Sequence, residues 1–306
     1  MKAVICERYG PPEVLKIKEV KKPVPKANEV LVKIMATAVN SGDVRTRALA
    51  VPGFLRVIMR VVLGFTGPRK QILGTVLAGV IEAVGGQVEN FKLGDEVYAT
   101  TGFRFGTYAE YITLSENGTI VPKPKKASFQ EAAAIPFGGT TALYFLQKAG
   151  ISIKRNQKIL IYGASGAVGT AAMQIAKHYG AEVTSVVSED NVKLAKSLGA
   201  GHVIIYTKED FTKNHKKYDI IFDAVGKKPK KECGGSLAQN GRYVTVGGLD
   251  VASEHKDQLI FLSKLFDNGE YKAVIDRSYP LDEIVEAHRY VDLGKKKGNV
   301  VITISS

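Results

Sequence analysis

The chain has 306 residues, 45% hydrophobic and 24% charged, with 43 Lys and Arg against 30 Asp and Glu. That length predicts two domains with sizeable cores, and the composition excludes a disordered chain. No run approaches the roughly 18 apolar residues of a membrane span, and the opening residues lack the apolar core of a secretory signal. Cys6 and Cys233 are far apart, so they form neither a CxxC motif nor a four-cysteine zinc site. Thiols used this sparingly fit a reducing compartment, and a cytoplasmic protein is the expectation.

The formal charge of +13 would draw polyanions, so nucleic acid is one class to weigh. The cations are dispersed in short groups, however: Lys21-Lys22, Lys123-Lys125-Lys126, Lys216-Lys217, Lys227-Lys228-Lys230-Lys231 and Lys295-Lys296-Lys297. No RNA-binding motif or zinc-finger spacing accompanies them. A lysine-rich surface, whose field also favours a charged cofactor, is the simpler expectation.

In chain order, residues 1–125 read as mostly β. Short apolar stretches such as 30–34 and 76–81 are separated by Gly, Pro and charged turns. Gly74, Gly79, Gly85, Gly86 and Gly94 predict tightly turned strands of a small barrel. The stretch 54–63 is apolar and carries Arg56 and Arg60; it reads as a helix packed on the core, a lid over a hydrophobic substrate entrance, or a membrane-surface helix. Pro122-Lys123-Pro124-Lys125-Lys126 marks a seam. Beyond it, strands at 158–162, 182–187, 202–206, 218–223 and 242–246 alternate with helical patterns, which predicts a parallel sheet covered on both faces. The tail, from about Tyr271, returns to short strands and one helix and ends in a strand at 299–304. The expected domains are therefore 1–125, 126–268 and a return to the first over 269–306.

The segment 159–169 is the most informative. An apolar strand runs into Gly163, Gly166 and Gly169, and Val168, Ala171, Ala172, Ile175, Ala176 and Tyr179 then make one face of a helix. A pyrophosphate needs this order, because backbone N–H groups at a helix start point at the anion and small residues let it approach. A tight turn without a ligand is the alternative. The second strand ends Val186-Val187-Ser188-Glu189-Asp190-Asn191. The two valines cannot accept bonds from ribose hydroxyls, whereas Ser188 can donate to a 2′-phosphate. Glu189 and Asp190 would oppose a phosphate if turned inward, or would sit well in the first turn of the next helix. The reading leans to NADPH, with NADH possible.

These residues, with their neighbours, resemble the zinc-independent quinone oxidoreductase branch of the medium-chain dehydrogenase/reductase superfamily. The resemblance runs through Val39-Asn40-Ser41-Gly42-Asp43-Val44, Leu73-Gly74, Ala78-Gly79, Gly94-Asp95-Glu96-Val97-Tyr98 and Gly106-Thr107-Tyr108-Ala109-Glu110-Tyr111. It continues through Gly139-Thr140-Thr141-Ala142-Leu143, the glycine turn, Lys196-Ser197-Leu198-Gly199-Ala200, 219–226, 241–248 and Ala287-His288. It implies an α/β molecule in which a Rossmann doubly wound parallel sheet is inserted into a GroES-like β-rich catalytic domain. The active site would lie in the cleft between the two. The implied activity is hydride transfer to quinones, enones or similar activated carbonyl compounds, by a homodimer.

Position by position, the resemblance gives Gly166, Ala167, Val168 and Gly169 to the pyrophosphate. Ser188 and Tyr206 fall around the adenosine ribose and its phosphate, and Val225 and Gly226 in the adenosine-side loop. Gly247 and Gly248 fall in the loop beneath the nicotinamide, and Asn40 and Thr141 near the nicotinamide and substrate. Two departures accompany it: NADPH-using relatives often carry Lys or Arg just after the Ser188 position, and the 54–63 stretch does not align.

In the zinc-binding branch a Cys occupies the stretch matched by Asn40-Ser41-Gly42-Asp43, and Gly-His-Glu the stretch matched by Leu73-Gly74-Thr75. Neither ligand set is present, and the five histidines form no HxxH or HExxH cluster, so no metal site is expected. An acceptor that carries incoming charge on its own oxygen needs mainly positioning and a few hydrogen bonds. Asn40 and Thr141 are the catalytic candidates, with solvent supplying the proton. Asp43 reads as a turn or cap residue, and Tyr108 as a half-buried strand aromatic, with a hydrogen-bond donor in the site as its alternative. An enoyl-thioester reductase of the same fold, and a cofactor-binding regulator acting through RNA, are the competing functions.

Overall fold

The computed structural model describes residues 1–51, 53–151, 156–248 and 250–304; the side chains of Phe54 and Leu55 are outside that description. Two compact units divide the chain, Met1–Pro136 with Ile275–Ser306, and Phe137–Val274.

The first unit contains β1 (Lys2–Cys6), β2 (Leu15–Glu19), β3 (Glu29–Val39), α1 (Ser41–Ala48), α2 (Gly53–Leu63), β4 (Val76–Val84), β5 (Glu96–Thr100), β6 (Tyr111–Ser115), β7 (Ile120–Pro122) and α3 (Phe129–Ala134). The second contains α4 (Pro136–Lys148, its first residue at the divide), β8 (Lys158–Tyr162), α5 (Ala167–His178), β9 (Glu182–Val187), α6 (Val192–Ser197), β10 (His202–Ile205), β11 (Tyr218–Asp223), α7 (Lys230–Cys233), β12 (Leu237–Thr245) and α8 (Lys256–Asp267). The chain then returns with β13 (Ile275–Pro280), α9 (Ile284–Asp292) and β14 (Asn299–Thr303).

In the first unit, β1 and β2 pair as a hairpin, and a seven-stranded sheet runs β13-β14-β3-β4-β5-β7 with β6 also on β3. Its pairs are antiparallel except β13 with β14. The long β3 is almost continuously buried, and two register shifts against β4 bend it. Its Val30, Val32 and Ile34 share one core with Leu77 and Ile81 of β4 and Ile284 of α9. The expected seam at 125/126 falls later, because Ser128 and Glu131 form a capping box that starts α3, and α3 packs on β3, β4 and β14. The second seam, expected at 268/269, also falls later. Lys272 exchanges two hydrogen bonds with Gln174 of α5, which keeps that segment with the second unit.

The second unit is a five-stranded, wholly parallel sheet in the order β10-β9-β8-β11-β12. Ile159, Leu160 and Ile161 of the central strand are fully buried, as a strand covered on both faces requires. Such a sheet reverses strand order beside its first strand, and the crevice outside the carboxyl ends there is where ligands bind.

Candidate active site

In the second unit, β8 delivers the chain into a turn whose three glycines do different work. Gly163 has φ +76°, and a Cβ there would lie 2.6 Å from Val225 Cγ1. A Cβ on Gly169 would lie 2.3 Å from the Gly163 carbonyl oxygen, so its absence lets α5 sit on the strand end. Gly166, the residue before α5, has only open space beside it: a Cβ there would come no closer than 3.8 Å to any neighbour, and no side chain caps the helix. The first amides of α5 have no intrahelical partner, and no side chain caps them. The turn therefore offers a pyrophosphate a bare helix start.

Neighbouring strand ends converge on it. Asp223, 1% exposed at the end of β11, accepts from the Val225 and Gly226 amides through Oδ1 (3.1 and 2.9 Å) and from the Lys228 amide through Oδ2 (2.8 Å). Thr245 at the end of β12 donates to the same carboxylate and accepts from the Gly247 amide. The two loops touch backbone to backbone, since a Cβ on Gly226 would lie 2.6 Å from Gly247 Cα. Gly247 and Gly248 are exposed, and Asp250 ties their loop to α4 through Tyr144 Oη (3.0 Å) and Lys148. Thr141 is half-buried on α4, one turn after Gly138, whose Cα lies against the Ala167 carbonyl. Sequence reading missed Asp223 as an organiser, although an Asp at a strand end followed by Ala-Val-Gly is an Asx-turn signal.

Ser188 and Tyr206 lie side by side, after β9 and β10, and the Tyr206 amide donates to the Val187 carbonyl. Ser188 Oγ accepts from Asn191 (2.8 Å), which leaves its own proton free to donate outward. Glu189 is exposed and paired with Lys208 at 2.6 Å, and Asp190 is exposed. Lys208, two residues past Tyr206, thus brings a cation to the loop that follows β9. Only the tertiary pairing of β9 with β10 reveals it.

The first unit carries the other candidates. Asn40 follows β3 in extended backbone and caps α1; its Oδ1 accepts from the Gly42 and Asp43 amides and its Nδ2 donates to Thr75 Oγ1 at 2.8 Å. One Nδ2 proton remains. Asp43 completes the capping box, as expected of a cap residue, but it is also fully buried, and its Oδ2 accepts from Tyr108 Oη at 2.9 Å. Burial pushes its carboxyl up to about 7, against the bonds from Asn40 and Tyr108, and Oδ1 has no partner. Tyr108 is fully buried in a bend outside any strand, so its half-buried strand reading is corrected. Gly74, at φ +83°, makes room for that ring: a Cβ would lie 2.5 Å from it.

His288 of α9 meets the ring edge-on at a 5.5 Å centroid distance. Arg47 Nη1 donates to His288 Nδ1 at 3.2 Å, so Nε2 carries the proton; burial and the Arg47 charge push the imidazole down to about 3. Arg47 also reaches Asp292 (2.8 Å) and the Gly10 carbonyl.

Among the described residues no group of three or more His, Cys, Asp or Glu is arranged to hold a metal ion. The stretches 40–43 and 73–75 lack thiol and imidazole donors, and both cysteines are buried, with burial pushing their thiols up to about 11. The donor set does not fit zinc.

A parallel sheet with this turn, in a chain that also builds a β-rich unit, defines a dinucleotide-dependent oxidoreductase fold. Comparison with known proteins agrees. The family described as alcohol dehydrogenase GroES-like domain matches residues 26–125, and the one described as zinc-binding dehydrogenase matches 167–275. The chain is 36% identical to a 2-methylene-furan-3-one reductase of Solanum lycopersicum, over 99% of this chain and 79% of that one. It is 32% identical to a chloroplastic NADPH-dependent alkenal/one oxidoreductase of Arabidopsis thaliana, with the same coverage. The solved quinone oxidoreductase of Coxiella burnetii, 29% identical, superposes with a TM-score of 0.84 over 100% of this chain and 99% of its own. The chain belongs to the quinone oxidoreductase-like branch of the medium-chain dehydrogenase/reductase superfamily.

Proposed function

We propose that this protein transfers hydride from NADPH to quinones, enones and related activated carbonyl compounds without a metal. The carrying observation is the bare start of α5, with open space at Gly166 and no capping side chain. Bound there, the reduced dinucleotide supplies the hydride. The amides of Ala167, Val168 and Gly169 hold its pyrophosphate, while Val225, Gly226, Gly247 and Gly248 bound the crevice through the loops that Asp223 fixes. Ser188 donates to the 2′-phosphate, Tyr206 lies along the adenosine ribose, and Lys208 supplies the cation that sequence reading did not find. Within the second unit, Thr141 Oγ, on the helix whose Gly138 packs against the start of α5, orients the nicotinamide. Within the first unit, the remaining Nδ2 proton of Asn40 is the donor for an acceptor oxygen. Solvent supplies the proton.

Several features support the setting and assembly that go with this reading. Two free, buried thiols fit a reducing, cytoplasmic setting. The outer edge of β12, last in its sheet among the described residues, suits pairing with a second copy as a homodimer. No helix among the described residues is long and apolar enough to cross a membrane.

Fluorescence titration with NADPH and NADH, followed by turnover on quinones, enones and an enoyl thioester, tests the reading. NADPH binds more tightly, and Lys208→Ala weakens it about tenfold while sparing NADH. Asn40→Ala and Thr141→Ala lower kcat on quinones. Affinity for neither dinucleotide, or stoichiometric zinc in the purified protein, overturns the proposal.

A further inference from the structure

The helix α2 buries only a narrow stripe. Leu63 lies in the first unit's core and Met59 packs against it, whereas Val57, Ile58, Val61 and Val62 are 52 to 66% exposed. At 100° per residue these four span the arc opposite the buried stripe, so the helix turns apolar residues straight outward. Phe65, just beyond its end, is 62% exposed. Isolated exposed valines are ordinary, but a contiguous set on one helix face marks a docking surface.

The charge around this face is of one sign. Between Asp43 and Glu82 the sequence holds six cations and no carboxylate. Arg47 is buried against Asp292, while Arg45, Arg56, Arg60, Arg69 and Lys70 are exposed and make no ion pair among the described residues. Arg56 and Arg60 flank the outward apolar arc on one side. Arg69 is held at the end of α2 by the hydrogen bond that its backbone N–H donates to the Leu63 carbonyl, and Tyr9 Oη braces the same turn by donating to the Gly64 carbonyl. The nearby Glu7 is already paired with Lys18.

We propose that α2 docks on an anionic phospholipid surface, Val57, Ile58, Val61 and Val62 entering the acyl boundary and Arg56, Arg60, Arg69 and Lys70 meeting the headgroup phosphates. A helix with an outward apolar face and a flanking cationic edge is built to lie in that interface. A second copy is a poorer occupant, since a two-fold contact on this face sets Arg56 and Arg60 against their own counterparts with no carboxylate between them.

The test is vesicle co-sedimentation of the full-length protein. Phosphatidylcholine vesicles containing phosphatidylglycerol pull it down at low salt, pure phosphatidylcholine does so far less, and high salt releases it. Arg56→Gln with Arg60→Gln weakens binding roughly 20-fold, and Val57→Asn with Val61→Asn abolishes it with the circular dichroism spectrum unchanged. The chain contains no tryptophan, so Val61→Trp is a sole reporter whose emission shifts to the blue on adding anionic vesicles. Failure to sediment at low salt, or an unshifted Val61→Trp emission, overturns the proposal. So does a Val57→Asn/Val61→Asn variant that still binds vesicles, or one that merely turns a dimer into a monomer.

Discussion

Gly166 and Gly169 stand one helical turn apart and fail differently when a methyl group is added. At Gly169 the new carbon meets backbone at 2.3 Å, so Gly169→Ala costs about 3 kcal/mol of stability. At Gly166 the carbon enters open space with φ −79°, so Gly166→Ala costs under about 1 kcal/mol yet crowds the phosphate approach and weakens NADPH about tenfold. Urea unfolding and cofactor titration separate the two. Asp43 gives a pH signature. Its carboxyl is raised from 3.8 to about 7 in the fold, so the folded chain holds a proton that the unfolded chain has lost. Its stabilising share is complete below pH 4 and drains away as pH rises through 7. Relative to Asp43→Asn, the wild type loses on the order of 2 kcal/mol between pH 5 and pH 8, read by denaturation at each pH. His288 acts in the opposite sense: held neutral, its share is present above pH 6.5 and is lost as pH falls toward 3.

Among the elements, β11 and β12 matter most for the site because their ends set two loops. Asp223→Ala removes the buried acceptor for three part-exposed amides and costs about 1–2 kcal/mol, since their hydrogen bonds are lost and water replaces them only in part. NADPH affinity falls with it, while far-ultraviolet circular dichroism keeps its helix signal. α1 and α9 are tied by a buried cation rather than by apolar packing alone. Arg47→Ala strands the Gly10 carbonyl and the partly exposed Asp292 and costs about 2–3 kcal/mol in thermal unfolding. The strands and the helix of the glycine turn are legible in the sequence because their apolar periods are unbroken. Tyr108 is not, because alternation around Tyr111 suggests a strand that starts only after it. Whether α2 lies on the core or turns outward depends on which neighbours reach it, and its period alone does not say.

At the scale of the molecule, each unit holds its own hydrophobic core. A ligand held by the glycine turn stabilises the unit that binds it. Calorimetry with NADPH at about 100 times its Kd adds about 2.7 kcal/mol to the stability of residues 137–274. A ligand effect confined to the β-rich unit contradicts the assignment of the cofactor to that turn.

The sequence by itself determined the inserted parallel sheet, the β-rich unit whose two segments flank it in the chain, the glycine turn and the missing thiol and imidazole donors at 40–43 and 73–75, because periodicity, glycine spacing and donor type are local properties of a chain. Tertiary structure decided the rest. Lys208 came to pair with Glu189, Asp223 bound two loops, and Asp43, Tyr108, His288 and Arg47 closed into one buried network. Each of these depends on which distant segments meet, and so on the burial that shifts a carboxyl or frees a proton.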